Sequence, residues 1–442
     1  MGKIENALSS SQIIILGFAA VILLGTILLM LPFATQDTMG ASFADALFTA
    51  TSAVCVTGLV VQDTATYWST AGQMVILLLI QIGGLGVVTL AVTLFSLAGR
   101  EISLKQRSTM QEAISAPHMG GIVREAGFIV RTAMLIELAG AVAMAPVFMK
   151  EFGIEKGVFY SVFHSVSAFC NAGFDLMGVK SPYSSLTDYA SDSTINLAVM
   201  ALIITGGIGF MTWNDVRRFK LRLVRYSMQS KVVLMTTLVL IILPAGYFYL
   251  FEFAEMPFKT RIWCALFQAV TPRTAGFNTA DLTQMSETGL ALIIMLMLVG
   301  GSPGSTAGGM KTTTLAIMLS ATVSVFRRRA HVQFFGRRID EDTTRRAMTI
   351  LTSYMIMAIG GAMAIAGIER ISLMSALFET ASAVGTVGLT LGVTPRLGMV
   401  SRMILVVLMY CGRVGGLTLV FAALRGSANG LSRLPMEHLT VG

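Results

Sequence analysis

Residues 43–59 read FADALFTATSAVCVTGL, and the stretch recurs three times: VFYSVFHSVSAFCNAGF over 158–174, IWCALFQAVTPRTAGF over 262–277 and LMSALFETASAVGTVGL over 373–389. Each copy has a small residue, an apolar residue and then a phenylalanine: Phe48, Phe163, Phe267 and Phe378. Nine or ten residues later each reaches a glycine followed by Leu or Phe: Gly58, Gly173, Gly276 and Gly388, spaced by 115, 103 and 112 residues. Self-similarity at a nearly fixed period marks a repeated structural unit. The third copy is one residue shorter and holds Pro272, so its turn is expected to differ locally.

A long apolar run flanks each copy on both sides. The preceding runs cover roughly 13–33, 123–148, 230–253 and 346–368, and the following ones roughly 72–98, 193–213, 288–326 and 399–425. The copies themselves hold about a dozen apolar residues, too few to cross a bilayer, where about 20 are needed. Each unit therefore reads as helix, re-entrant half-helix with an extended turn, helix. The expected fold class is an all-α membrane protein of four parallel helix–pore-loop–helix repeats, with eight transmembrane helices and four half-helices around a central pore. The divisions are an N-terminal segment 1–11, repeats at 12–99, 100–213, 214–326 and 327–425, and a tail at 426–442. The second and fourth repeats include the cytoplasmic loop that precedes them, and the third has a broken inner helix.

Composition agrees. The 442 residues are 54% hydrophobic and 13% charged, with mean hydropathy +0.74, whereas soluble domains carry about 25% charged residues. The first apolar run is too long for the core of a cleavable leader and reads as the first span. Net charge is +8, but the basic residues cluster between repeats. Arg217, Arg218, Lys220, Arg222 and Arg225 form one group, and Arg327, Arg328, Arg329, Arg337, Arg338, Arg345 and Arg346 another. Arg100, Lys105, Arg107 and Arg124 form a thinner third. Excess Lys and Arg marks cytoplasmic loops. Topology thus accounts for the charge without nucleic acid, and both termini are expected in the cytoplasm of a multi-pass plasma-membrane protein. Asp37, Asp63, Asp175, Asp188, Asp192, Asp281 and Glu287 fall within repeats and are expected outside. The four cysteines are scattered, which argues against a disulfide framework or a zinc site.

A half-helix that ends inside a membrane points its negative dipole end at the centre. The turn after it exposes carbonyls, and a ring of four such turns can replace a cation's hydration shell. Glycine is needed where the chain adopts positive φ to swing a carbonyl inward. The expected filter residues are Val56, Thr57 and Gly58; Asn171, Ala172 and Gly173; Thr274, Ala275 and Gly276; and Thr386, Val387 and Gly388. Thr57, Asn171, Thr274 and Thr386 are candidates for added side-chain oxygens. Thr386-Val387-Gly388 is close to the start of the potassium-channel filter TVGYG. The other copies are degenerate and none keeps the second glycine, which predicts weaker discrimination between ions.

The helices after the turns share a glycine-rich patch: QIGGLGVVTL from Gln81, TGGIGFMTW from Thr205, VGGSPGSTAGG from Val299 and CGRVGGLTL from Cys411. In the first two repeats the patch is expected to serve close helix packing through small residues. In the third it extends to GGSPGSTAGGMKTTT over 300–314, which no continuous helix tolerates, since interior Gly costs roughly 1 kcal/mol and Pro about 3. Irregular backbone at membrane depth is tolerated where it is buried in protein or lines a cavity. The run fails as a phosphate loop because Met310 separates Gly309 from Lys311 and no strand precedes it.

TPRTAGFNT from Thr271, GGSPGSTAGGMKTTT and GRVGG from Gly412, set in the four-repeat layout, resemble the Trk/Ktr/HKT superfamily of potassium transporters from about residue 12 to 425. With no room for two further N-terminal spans, the chain is most similar to a Ktr membrane subunit. The resemblance implies channel-like potassium uptake, often sodium-activated, by a homodimer with one pore per protomer. It implies a cytosolic ring of nucleotide-binding regulatory subunits, with nucleotide on that partner and potassium alone in the filter. It also implies that Gly300, Gly301, Ser302, Pro303, Gly304, Ser305, Thr306, Gly308, Gly309 and Lys311 form an intramembrane gate under the filter. Arg413 would face the pore beside them as a positive barrier. A charge inside a span is a functional hypothesis by default, and a packing salt bridge to Glu379 or Glu137 is its alternative.

Asp175 and Asn278 follow the filter and would draw cations to the mouth or simply face solvent. His164 reads as a packing residue, and Glu137 as paired with something other than Arg131. Two further function classes compete. Sodium- or proton-coupled cotransport would use inverted repeats and intramembrane carboxylates, but these repeats are parallel and such carboxylates few. The ion-binding subunit of an ATP-driven pump would carry additional spans. No nucleophile is arranged with a base, so an enzyme is not expected.

Overall fold

The computed structural model describes residues 9–97, 102–114 and 120–415. Arg100, most of the segment 1–11, the end of the last apolar run (416–425) and the tail 426–442 lie outside the described residues.

The chain is helical apart from a small antiparallel hairpin pairing Gln333–Phe334 with Arg337–Arg338. In chain order, repeat one holds α1 (Ser10–Met30), the short α2 (Phe43–Val54), α3 (Thr70–Leu85) and α4 (Val87–Leu97). A connecting helix, α5 (Leu104–Ala113), leads to α6 (Ile122–Phe152), the short α7 (Ile154–Phe169), α8 (Ser193–Gly207) and α9 (Phe210–Phe219). Repeat three holds α10 (Met228–Tyr247), the short α11 (Phe258–Val270), α12 (Glu287–Leu298) and α13 (Thr312–Phe326). Repeat four holds α14 (Glu341–Glu369), the short α15 (Leu373–Gly385) and α16 (Met399–Val414).

The first helix of every repeat is long and apolar enough to cross a membrane: Ser10–Met30, Ile122–Phe152, Met228–Glu252 and Glu341–Glu369. Their outward faces carry exposed Leu23, Leu24, Leu138, Val142, Leu238, Ile242, Ile356 and Met363. Water would penalise so much exposed apolar surface, and lipid would not. This is a membrane protein.

The second helices depart from expectation. They are not unbroken spans packed through small residues. The α3–α4 and α8–α9 pairs bend by 92° and 98°, at Gly86 (φ 88°) and Gly209 (φ 90°), and α16 ends at Gly415 (φ 92°) in the same conformation. Among the described residues, helices long and apolar enough to span number four, or six if each bent pair counts as one. Close packing is present too, three residues earlier. A Cβ on Gly83, Gly206 or Gly412 would lie 2.0–2.1 Å from the carbonyl oxygen of Val54, Phe169 or Val384, at the end of that repeat's short helix. The patch GxxG thus does two jobs: its first glycine admits a neighbour's backbone, and its last turns the chain.

The four repeats close on themselves. The helix after each turn packs on the short helix of the next repeat: α3 on α7, α8 on α11, α12 on α15, and α16 back on α2. An Arg402–Asp45 ion pair at 3.0 Å fastens the closing contact. Phe48, Phe163, Phe267 and Phe378 are all fully buried and anchor the short helices in the core.

Candidate functional site: a ring of four turns

Each short helix stops three to six residues before its glycine because the chain reverses there. In repeats one, two and four the residue before the glycine donates its N–H back to the last helical turn: Thr57 to Ser52, Ala172 to Ser167 and Val387 to Ser382, each at 2.8 Å. In repeat three, one residue shorter, Ala275 donates to Thr271 at 2.9 Å. The local difference expected from Pro272 is therefore a tighter turn.

Two residues per turn have positive φ. One is the glycine, and the other lies two positions before it: Val56 (49°), Asn171 (58°), Thr274 (75°) and Thr386 (51°). Paired left-handed residues rotate the intervening peptide, which is how a turn presents a carbonyl to one side. The glycines meet in a cycle. A Cβ on Gly58 would lie 2.4 Å from the carbonyl oxygen of Ala172, one on Gly173 2.7 Å from that of Ala275, one on Gly276 2.3 Å from that of Val387, and one on Gly388 2.3 Å from that of Thr57. Each glycine is thus required by its neighbour's carbonyl, and the four together form a closed ring.

On one side of the ring lies a cavity of about 90 Å³ whose lining includes Asp63, Asp175, Asn278 and Thr390 as well as the four glycines. Asp175 sits in the loop between α7 and α8, where burial pushes its carboxyl up to about 7, and the negative charge of Asp63 adds to the effect. On the other side, Oγ1 of Thr274 and Thr386 and Oδ1 of Asn171 are buried and have no hydrogen-bond partner among the described residues. Three such oxygens at one level are unusual, because buried polar groups are normally paired.

The segment between α12 and α13 seals that second side. A Cβ on Gly308 would lie 2.0 Å from Oγ1 of Thr386, so the loop touches the ring directly. Thr306 receives a bond from Asn171 Nδ2 at 2.9 Å and donates to Phe169 O at 2.9 Å. Ser302 N–H reaches Gly207 O at 2.9 Å, Phe210 N–H reaches Gly304 O at 2.6 Å, and Lys311 Nζ ties Ala307 O and Gly308 O at 2.9 and 3.2 Å. The loop closes with Gly300 N–H to Met310 O at 2.7 Å. Beyond it lies a cavity of about 320 Å³ lined in part by Gly304, Ser305, Gly309, Lys311 and Arg413. Arg413 donates to carbonyls, those of Thr306, Gly83 and Gly84. The packing salt bridges considered for it are absent: Glu379 is held by Thr390 and Leu391, and Glu137 by Gln81 at 3.0 Å.

A sequence model of the TrkH cation transport protein family matches residues 3–429. The chain belongs to that family. It is 40% identical to the potassium/sodium uptake protein NtpJ of Enterococcus hirae, covering 100% of this chain and 99% of that one. It is 38% identical to the Ktr system potassium uptake protein B of Bacillus subtilis over 93% of this chain and 92% of the other. The structure superposes on the potassium transporter TrkH of Vibrio parahaemolyticus with a TM-score of 0.70 at 20% identity, covering 92% of this chain and 85% of that one. That likeness carries the fold.

Within this TrkH family member the structure brings the four turns, 56–58, 171–173, 274–276 and 386–388, together, with one difference in register. Val56, not Thr57, is the positive-φ counterpart of Asn171, Thr274 and Thr386, while Thr57 Oγ1, one place later, is also buried and without a hydrogen-bond partner among the described residues. Thr57 instead aligns with Ala172, Ala275 and Val387. Sequence reading also missed Ser52, Ser167, Thr271 and Ser382, whose hydroxyls staple each turn. Ser52 and Ser382 accept from the N–H of Gly58 and Gly388 at 3.1 and 3.0 Å. Ser167 and Thr271 donate to the carbonyls of Phe174 and Phe277 at 2.7 and 2.6 Å. The signal was present: a hydroxyl residue stands five or six places before every glycine.

Proposed function

We propose that the chain is the membrane subunit of a potassium uptake system. Its ring of turns, with filter residues 56–58, 171–173, 274–276 and 386–388, dehydrates and selects the ion. The observation that carries this reading is the cycle of glycine-to-carbonyl contacts, which fixes four carbonyl-bearing peptides around one point. Potassium would enter from the cavity beside Asp175, exchange water for ring carbonyls, and meet the unpaired oxygens of Asn171, Thr274 and Thr386. Carbonyl dipoles can replace a hydration shell at small cost only if they are already held in place, and the hydroxyl staples and buried phenylalanines hold them.

The loop from Gly300 to Lys311 is the gate in this reading. Seated against Thr386, it blocks the way to the second cavity, and the guanidinium of Arg413 behind it repels a cation. Sodium activation, a homodimer and a cytosolic nucleotide-binding ring are carried by the family resemblance alone, as are the plasma membrane and cytoplasmic termini. Sodium-coupled uptake is the second reading, favoured by the potassium/sodium name of the E. hirae relative.

Ion flux into liposomes containing the purified protein, at set voltage, tests the two. Gated permeation predicts potassium flux that follows the potassium electrochemical gradient alone and rises when the loop from Gly300 to Lys311 is shortened. Potassium accumulated against its own gradient at the expense of sodium or protons would replace it with coupled transport.

A further inference from the structure

The residue immediately after each anchoring phenylalanine is polar in all four repeats: Thr49, His164, Gln268 and Glu379. All four are buried, with exposures of 0–1%. Packing alone does not call for a polar side chain there, and burying one without partners is costly. Three of them reach across the short helix to the chain leaving the ring. His164 Nε2 accepts from Leu176 N–H at 3.3 Å, while Nδ1 faces the Tyr160 carbonyl at 2.7 Å. Gln268 Nε2 donates to Asn278 Oδ1 at 2.8 Å. Glu379 Oε1 accepts from Thr390 Oγ1 at 2.6 Å and from Leu391 N–H at 3.0 Å, and Oε2 accepts from Thr394 Oγ1. The bonded residues lie two, three or six places beyond the glycines. Thr49 is too short to make the equivalent bond, and its Oγ1 has no partner among the described residues. The first exit segment is held by other groups: Gln62 Nε2 donates to Asp45 Oδ2 on the same short helix at 3.4 Å, and Tyr183 Oη donates to the Val61 carbonyl at 3.2 Å.

We propose that His164, Gln268 and Glu379 are positioning residues for ion selection, acting through the exit segments on the width of the glycine ring, and that repeat one lacks the equivalent bond from Thr49. This rests on the ring being a potassium filter. A ring carbonyl is free to move only as far as the chain on both sides of its glycine allows. The hydroxyl staples fix each turn at its glycine or the residue after it, and these side chains fix the chain farther along the leaving side. A ring free to contract admits the smaller ion.

The test is the potassium-to-sodium permeability ratio of reconstituted protein. Glu379→Ala and Gln268→Leu should each lower the ratio about tenfold, the effect of losing a buried hydrogen bond or two. Glu379→Gln keeps an accepting oxygen for Leu391 N–H and should stay near wild type, and Thr49→Val should leave the ratio unchanged. Thr390→Val removes one clamp bond from the partner side with no change in shape, so it serves if Glu379→Ala does not fold; it should lower the ratio in the same direction. Equal ratios for wild type, Glu379→Ala and Thr390→Val would overturn the proposal, as would Glu379→Gln behaving like Glu379→Ala. Absence of potassium flux in the wild type would overturn the filter reading itself.

Discussion

In the proposed reading Arg413 carries two separable roles. Its charge lies beside the loop, and its guanidinium ties that loop to α3 through the carbonyls of Thr306, Gly83 and Gly84. A charge near a cation's path costs about 1–2 kcal/mol in a partly hydrated site. Arg413→Ala should therefore raise potassium flux about tenfold, measured in liposomes at fixed voltage. Arg413→Lys keeps the charge but loses the planar fork; flux near wild type would assign the barrier to charge, and flux like Ala would assign it to the tether. Asp175 lines the cavity on the opposite side of the ring, which is the entrance in the proposed reading. With its carboxyl pushed up to about 7 by burial, it is neutral well below pH 7 and negative well above it. The negative form concentrates cations at the entrance, so uptake at low potassium should rise by about twofold or more from pH 6 to pH 8. Asp175→Asn should flatten that rise, and a profile unchanged by the substitution would remove Asp175 from the entry path. The tautomer of His164 is set by geometry, because a ring that accepts from Leu176 N–H must donate to Tyr160.

The bends in the second helices show where sequence reading stopped. QIGGLG and TGGIG are identifiable as glycine-rich patches, and small residues in a membrane helix read naturally as packing. That half was right: Gly83 and Gly206 sit against carbonyls of the short helices. The other half was not legible, because a single glycine inside an apolar run says nothing of its φ, and the 92° and 98° turns are visible only in the folded chain. The loop after α12 was legible because its composition forbids a helix outright. The hydroxyl staples were legible in principle and missed, since an alignment made on phenylalanines and glycines draws the eye past Ser52 and Thr271. These bends give a sharp stability test. Gly209 has φ 90°, and a Cβ there would lie 2.6 Å from the Pro303 carbonyl oxygen, so Gly209→Ala should cost about 1–3 kcal/mol through backbone strain. Gly207→Ala, where the nearest atom to a Cβ is Asn171 Nδ2 at 3.9 Å, should be nearly neutral. Thermal unfolding midpoints in detergent decide between them; equal midpoints would mean the bend is not a fixed feature.

A molecule built as a closed cycle of repeats has its weakest point where the repeats meet. The glycines are more than 100 residues apart in sequence, and among them the ring is held by van der Waals contact between backbone atoms rather than by hydrogen bonds from one turn to the next. The three oxygens without partners at the level of Asn171, Thr274 and Thr386 come from three different repeats. A cation seated there would bond to several repeats at once and act as a cross-link. Ligands that bind only the folded state stabilise it by RT ln(1 + [L]/Kd), about 2.7 kcal/mol at a hundred times Kd. Potassium should therefore raise the unfolding midpoint of the purified protein with a saturable dependence, and sodium should do so less at equal ionic strength. Choline, too large for the ring, gives the baseline for general salt effects. Gly388→Ala places a Cβ 2.3 Å from the Thr57 carbonyl oxygen and must open the contact between repeats four and one, so its midpoint should be lower and should no longer distinguish potassium from choline. A potassium effect that survives in Gly388→Ala would place the stabilising ion elsewhere, and a wild-type midpoint equal in potassium and choline would show that the ring holds no ion at equilibrium.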